Sequence, residues 1–127
     1  MSEVGQRKLL SGSTDGRQIK VAATATAGTL IHTASGLDNT NHDEVWLWAV
    51  NHHSSNVTLT IEWGGVTDPD DLVKTVMAPD IGLLQVIPGW VLTNGLIVRA
   101  FASTADKVTI GGWVCRIPIN PNQGYRV

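Results

Sequence analysis

The chain has 127 residues, a length typical of one domain. At this size folding buries roughly two-thirds of the surface that the unfolded chain exposes, so a core forms without a disulfide or a metal. Charged residues make up 16% of the sequence, against about 25% in an average protein, which is consistent with a surface that faces other protein. The formal net charge of −2 argues against a nucleic-acid partner, and no apolar run approaches the ~20 residues that span a membrane.

The N-terminal residues 1–17 are polar, contain three glycines and show no sustained period. This pattern predicts a flexible or extended arm. The segment also lacks the apolar centre of a secretory signal. The single cysteine, Cys115, lies in an apolar run and is typical of a small buried hydrophobe. We therefore expect a protein that is made in the cytoplasm and is not exported by the usual signal.

From Ile19 onward the sequence has the pattern of β-strands separated by turns. Period-two alternation and turn signals such as Asn94-Gly95 predict about eight strands, with no convincing helical period. The predicted fold class is all-β, a single antiparallel β-sandwich that resembles a jelly roll. The sandwich is predicted over residues 18–118, between the extended N-terminal arm over 1–17 and a short C-terminal tail over 119–127.

Two neighbouring predicted strands differ in their alternation. In the strand from Val57 to Trp63, apolar and polar residues alternate, which indicates one face on the core and one face in water. The strand over residues 44–50 is apolar on both faces. One of its faces carries Val45, Leu47 and Ala49, and the other carries Trp46, Trp48 and Val50.

Three interpretations of the apolar strand stay open. In the first, the tryptophan side packs on the opposing sheet, and a loop or the arm covers the other side. In the second, one face forms a subunit interface, where tryptophan is a common hot-spot residue, and the candidate interface residues are Trp46, Trp48 and Val50. In the third, the tryptophans form a platform on which sugars stack.

No constellation of a known catalytic or metal site is evident in the sequence. The acidic turn over 68–71 lacks the ligand spacing and the glycine of an EF-hand, which favours a solvated turn. The four histidines form neither an HxxxH nor an HExxH pattern. There is also no nucleophile elbow, phosphate loop or dinucleotide fingerprint. The sequence therefore predicts a protein that is not an enzyme and that holds no metal or cofactor.

A pattern of strands and turns extends from Leu10 to Ile117 through LSGSTDGRQIKVAATATAGTLIHTA, DEVWLWAVN, VTLTIEWGG, PDDL, VIPG, LTNGLIVRAFA and VTIGGWVCRI. This pattern resembles the small head accessory proteins of tailed bacteriophages, which are also called decoration or cement proteins. The resemblance covers nearly the whole chain and contains no active-site motif. It implies a virion protein on the capsid exterior that binds the major capsid protein, forms a homo-oligomer, commonly a trimer, and contacts neither nucleic acid nor a membrane.

The resemblance also implies roles for the arm. The arm would lie along the shell and become ordered on binding. A decoration protein that binds only the mature shell would stabilise the shell by linkage. The candidate contacts with the capsid protein are Arg7, Lys8, Leu9, Leu10 and Arg17. Two alternatives are a carbohydrate-binding or receptor-binding module of a phage tail or fibre, and an enzyme with a metal in the sandwich.

Overall fold

The computed structural model describes residues 5–36 and 40–118 of the chain. Part of the predicted arm, 1–4, and the predicted tail over 119–127 lie outside these residues. The strands within them are β1 Gln6–Leu9, β2 Ile19–Val21, β3 Thr29–Thr33, β4 Asn41–Asn51, β5 Val57–Trp63, β6 Asp71–Met77, β7 Leu84–Leu92, β8 Ile97–Ala102 and β9 Val108–Pro118. In this part of the chain, no helix is long and apolar enough to cross a membrane.

The strands form two antiparallel sheets that pack face to face. The first sheet has the order β1-β9-β4-β7, with β2 also pairing with β9, and the second has the order β3-β8-β5-β6. The prediction of an all-β antiparallel sandwich is therefore confirmed. The core between the sheets contains fully buried aliphatic side chains from both, among them Val45, Leu47, Leu59, Val98, Ile110 and Val114.

The sandwich has two lateral sides, each formed by the edge strands of both sheets. On one side, the segment after β1 is bonded to β3, since the Gly12 amide donates to the Ile31 carbonyl at 2.9 Å. We call this the β1–β3 side, and it also includes β2 and the connection over 10–18. On the other side, β6 and β7 end their sheets and are joined by residues 78–83. We call this the β6–β7 side.

The described part of the predicted arm is extended and lies on the sandwich. β1 pairs with β9, from Gln6 opposite Arg116 to Leu9 opposite Trp113. Leu10, which follows β1, is only 2% exposed and belongs to the core. The sequence pattern does not reveal β1, because its four side chains, QRKL, are all exposed and show no apolar alternation.

The outer face of β5 is more buried than its alternation predicts. On β5, Thr60 and Glu62 point away from the core, yet both are buried, and Glu62 is 0% exposed. The loop before β3 contacts Glu62: the Thr26 hydroxyl donates to Glu62 Oε2, and the Gly28 amide donates to Glu62 Oε1 at 2.7 Å. The prediction of a solvent-facing side on β5 is wrong, because a polar loop can satisfy a polar strand face by hydrogen bonding as well as water can.

Candidate functional site

On the outer face of the first sheet, the ring of Trp113 stacks with the rings of both Trp46 and Trp48. Trp46 of β4 lies directly opposite Trp113 of β9, with ring centroids 6.1 Å apart and an interplanar angle of 22°. The Trp48 ring lies 5.1 Å from the same Trp113 ring, at 30°. The three rings therefore form one aromatic surface. We define the tryptophan face as this surface with its flanking side chains, namely Arg7, Leu9, Trp46, Trp48, Val50 and Trp113.

The tryptophans point outward because the alternate positions of β4 fill the core. Val45, Leu47 and Ala49 are all fully buried between the sheets, whereas Trp46, Trp48 and Val50 keep part of their surface exposed. The first interpretation of this strand, in which the tryptophan side packs on the opposing sheet, is therefore wrong. The remaining two interpretations, an interface and a sugar platform, both use an outward face.

Two glycines make room for the Trp46 indole and its backbone. Gly89 of β7 has φ of 87°, and an added Cβ would lie 2.6 Å from Cζ2 of Trp46. Gly112 of β9 has φ of 152°, and an added Cβ would collide with the Trp46 carbonyl oxygen. Gly112 therefore lets the backbones of β9 and β4 approach closely.

Two polar side chains of the protein itself contact the tryptophans of this face. The Arg7 guanidinium carbon lies 4.9 Å from the Trp113 ring centroid, within the range of a cation–π contact. The Trp46 indole N–H donates to Glu44 Oε1 at 3.1 Å. Since the indole N–H already has an acceptor, a partner can cover Trp46 without burying an unsatisfied donor.

Two depressions meet at Gln18, and the apolar one of the two adjoins the tryptophan face. The apolar one has a volume of about 370 Å³ and is lined by Gln18, Trp48, Leu83, Gly111, Gly112 and Trp113. The polar one has a volume of about 460 Å³ and is lined by Gly12, Thr14, Arg17, Gln18, Ile19 and Lys20. Leu83, at the rim of the apolar depression, is 70% exposed.

The structure does not keep the predicted capsid contacts separate from the predicted interface residues. Arg7 and Leu9, predicted as shell contacts, lie on the same face as the predicted interface residues. Lys8 and Arg17 are exposed on the β1–β3 side. Leu10 is buried in the core, so its side chain is not available to a partner. Sequence reasoning missed Trp113 as a member of this face, because its position depends on the pairing of β9 with β4, which are far apart in the chain.

A second group of polar residues is buried around Asp43, which is fully buried itself. Arg116 donates from Nε to Oδ1 at 2.8 Å and from Nη2 to Oδ2 at 3.0 Å. His32 Nε2 lies 2.7 Å from Oδ2, and Ser35 donates from its amide at 3.1 Å and from its hydroxyl at 3.0 Å. Asp43 thus links β3, β4 and β9 through one carboxylate.

The environment of Asp43 favours its charged form. Burial by itself raises its pKa, but hydrogen bonds from His32, Arg116 and Ser35 outweigh that effect and hold the pKa of Asp43 well below its usual range. The hydrogen bond to Asp43 also raises the pKa of Arg116. The Asp43–Arg116 pair is therefore ionised at neutral pH and stabilises the fold.

Ser11, His32 and Asp43 have the composition of a hydrolase triad without its geometry. The group that contacts His32 Nδ1 is the Ser11 backbone amide, at 2.9 Å, so Nδ1 is an acceptor and Nε2 donates to Asp43. The Ser11 hydroxyl instead accepts from the Thr33 amide at 2.7 Å. Nucleophilic catalysis requires the hydroxyl to reach the base, so this arrangement supports a structural role.

Within residues 5–36 and 40–118, no group of three or more His, Cys, Asp or Glu side chains is placed to hold a metal ion. Comparisons with protein-family models, curated proteins and solved structures found no match for this chain. The tryptophan face is the strongest functional feature of the described residues.

Proposed function

We propose that the protein is a non-enzymatic virion structural protein of a tailed bacteriophage, a decoration or cement protein that binds the outer surface of the major capsid protein shell and stabilises it. The observation that carries the proposal is the tryptophan face, on which Trp46, Trp48 and Trp113 lie together on the outside of a sheet. Tryptophan is enriched at the centres of protein interfaces and among their hot spots. A contiguous apolar patch of this kind is typical of a surface that another protein covers.

The shell contact is assigned to the tryptophan face, with Arg7 at its margin. Its centre is apolar, and the Arg7 guanidinium favours an acidic group on the capsid protein beside Trp113. Binding that is specific for the mature shell would raise the stability of the shell by mass action. No chemical step is required for this effect.

The size of the face indicates that one copy binds weakly. The face is about as wide as four strands spaced about 4.8 Å apart and about as long as seven residues at about 3.4 Å each. These dimensions give a flat area of roughly 450 Å². A standard interface buries about 800 Å² on each partner. Several linked copies gain affinity through effective concentration, so self-association would make shell binding tight.

We also propose a jelly-roll topology within the sandwich. β5 pairs with β6, β4 with β7, β3 with β8, and β2 with β9, which is a nested series of antiparallel pairs. A long hairpin folded over into two sheets has these pairs. Jelly rolls occur both in viral capsid proteins and in lectins, so the topology agrees with the proposal without selecting it.

One observation favours a second candidate, a carbohydrate-binding or receptor-binding module of a phage tail or fibre. The apolar depression places the Gln18 amide beside Trp48 and Trp113, and an aromatic ring with a neighbouring amide suits a sugar. However, Trp113 is already flanked by Trp46, Trp48 and Arg7, which leaves less of its ring for stacking. This crowding favours a protein partner.

The proposed function is tested by co-sedimentation of the full chain with mature, undecorated capsids. We expect saturable pelleting that is blocked when the shells are first loaded with unlabelled protein. A chain that stays in the supernatant at all concentrations would contradict shell binding, and glycan-array binding by the same sample would then support the second candidate. Deleting residues 1–17 is unsuitable as a test, because it removes β1 and the core residue Leu10.

A further inference from the structure

The two lateral sides of the sandwich carry opposite charges. The segment 6–20, which forms most of the β1–β3 side, has four basic residues and one acidic residue, a net charge of +3; these are Arg7, Lys8, Arg17, Lys20 and Asp15. The segment 68–80, which contains β6 and its flanking turns, has four acidic residues and one basic residue, a net charge of −3; these are Asp68, Asp70, Asp71, Asp80 and Lys74. The small net charge of the chain therefore conceals a strong separation of charge.

The charges on both sides are available to a partner. Arg17, Lys20, Asp71 and Asp80 are exposed, and none of them forms a salt bridge with another described residue. Unpaired charges of one sign on each side create complementary potentials, which orient an approaching molecule and disfavour the reversed arrangement.

Both sides also expose large apolar side chains. On the β1–β3 side, Leu9 is 57% exposed, and Leu30 of β3 is exposed beyond it. On the β6–β7 side, Leu83 is 70% exposed, and Val76 of β6 and Ile81 are exposed as well. Isolated exposed leucines need no explanation, but apolar groups on two surfaces of opposite charge are what an interface between those surfaces requires.

We infer that copies of this chain associate head to tail, with the β6–β7 side of one copy bound to the β1–β3 side of the next. The contact is made by side chains, because Pro88 has no N–H and Gly89 has φ of 87°, which make the edge of β7 unsuitable for adding another strand. Contacts between two different surfaces are heterologous, and they form a closed ring when the rotation between copies closes.

This inference deepens the proposed function, on which its biological role rests, since a ring presents several tryptophan faces to one shell. The association itself is tested without shells, so that the two ideas can fail separately. The contact includes Leu9, at the margin of the tryptophan face, but none of the three tryptophans, whereas association through Trp46, Trp48 and Val50 would cover the centre of that face.

Charge reversal tests the inference through the mass of the protein in solution. One variant carries Arg17→Glu and Lys20→Glu, and the other carries Asp71→Lys and Asp80→Lys. We expect the wild-type chain to be an oligomer in sedimentation velocity at low salt and to dissociate as salt screens the contact. Each variant alone should associate at least about tenfold more weakly, because like charges then face each other.

Mixing the two variants provides the matched control. Each reversed side then meets a complementary side on the other variant, so an equimolar mixture should recover association in species in which the two variants alternate, namely heterodimers and even-numbered rings. A misfolded variant could not produce this recovery. The inference is overturned if the wild-type chain is monomeric at low salt, or if both variants keep the wild-type mass while Trp48→Ala dissociates the oligomer. The second result would place the contact between copies on the tryptophan face.

Discussion

Replacement of Asp43 by alanine is expected to lower the free energy of unfolding by about 3 kcal/mol. Loss of one partner of a buried ion pair costs about 3–5 kcal/mol, and the lower end applies because Arg116 keeps 32% of its side chain exposed. The variant leaves His32 and Ser35 without the carboxylate to which they donate. Such a loss is a large part of the roughly 5–15 kcal/mol by which a domain of this kind is stable.

Urea unfolding followed by tryptophan fluorescence measures this effect. The matched control is Lys107→Ala, which removes an exposed charged side chain with no salt bridge among the described residues and should change the free energy of unfolding by less than about 0.5 kcal/mol. An Asp43→Ala variant within about 1 kcal/mol of the wild type would contradict the structural role given to this cluster.

The same cluster predicts the direction of a pH effect. The pKa of Asp43 is lower in the folded chain than its ordinary value of 3.8, so the folded state favours the charged form. Its contribution to stability is therefore fully present above the ordinary pKa and is lost as the pH falls toward the folded-state pKa. The stability difference between wild type and Asp43→Asn should be constant above about pH 5 and narrow below the ordinary pKa. A difference that widens at low pH would reverse the assigned sign.

The second large effect is expected on shell binding. Trp48→Ala should weaken binding at least about 30-fold, since a hot-spot side chain contributes about 2 kcal/mol or more and 1.4 kcal/mol corresponds to a factor of ten. Trp48 contacts Trp113 and lines the apolar depression, so its loss also disturbs the neighbouring ring. The measurement is a co-sedimentation isotherm with undecorated capsids.

Trp90 provides the matched control for that measurement. It is exposed, but its ring meets Trp63 edge-on at 5.8 Å and does not belong to the tryptophan face. Trp90→Ala should bind shells within about twofold of wild type, as expected for a residue outside the interface. Equal losses for Trp48→Ala and Trp90→Ala would indicate a general effect of tryptophan removal and would contradict the assignment.

The sandwich could be predicted from the sequence because strands leave a local signal. Period-two alternation in β5 depends on residues two positions apart, and the turn at Asn94-Gly95 is local too. The division of β4 into a Val45 side and a Trp46 side was likewise readable from neighbouring residues. These predictions needed no knowledge of which strands pair.

The features that could not be predicted depend on distant residues. Trp113 joins Trp46 only through the register of β4 with β9, and Asp43 meets Arg116 through the same pairing. The cover over Glu62 comes from a loop more than thirty positions earlier in the chain. Polar and charged residues such as these have no periodic signal that reveals their partner. The sequence therefore predicted only part of the candidate site. It predicted arm residues and β4 residues as two separate sets, and the fold places Arg7 and Leu9 of the first set on the same face as the second.

The central claim, that the tryptophan face contacts the capsid shell, is tested most directly by oxidative footprinting of the chain free and bound to shells. Trp46, Trp48 and Trp113 should be oxidised more slowly on shells, while Trp90 should be oxidised at the same rate in both states and serves as the internal control. Unchanged oxidation of the three face tryptophans in a sample that pellets with shells would contradict the claim, and protection of Trp90 alone would place the contact at another surface.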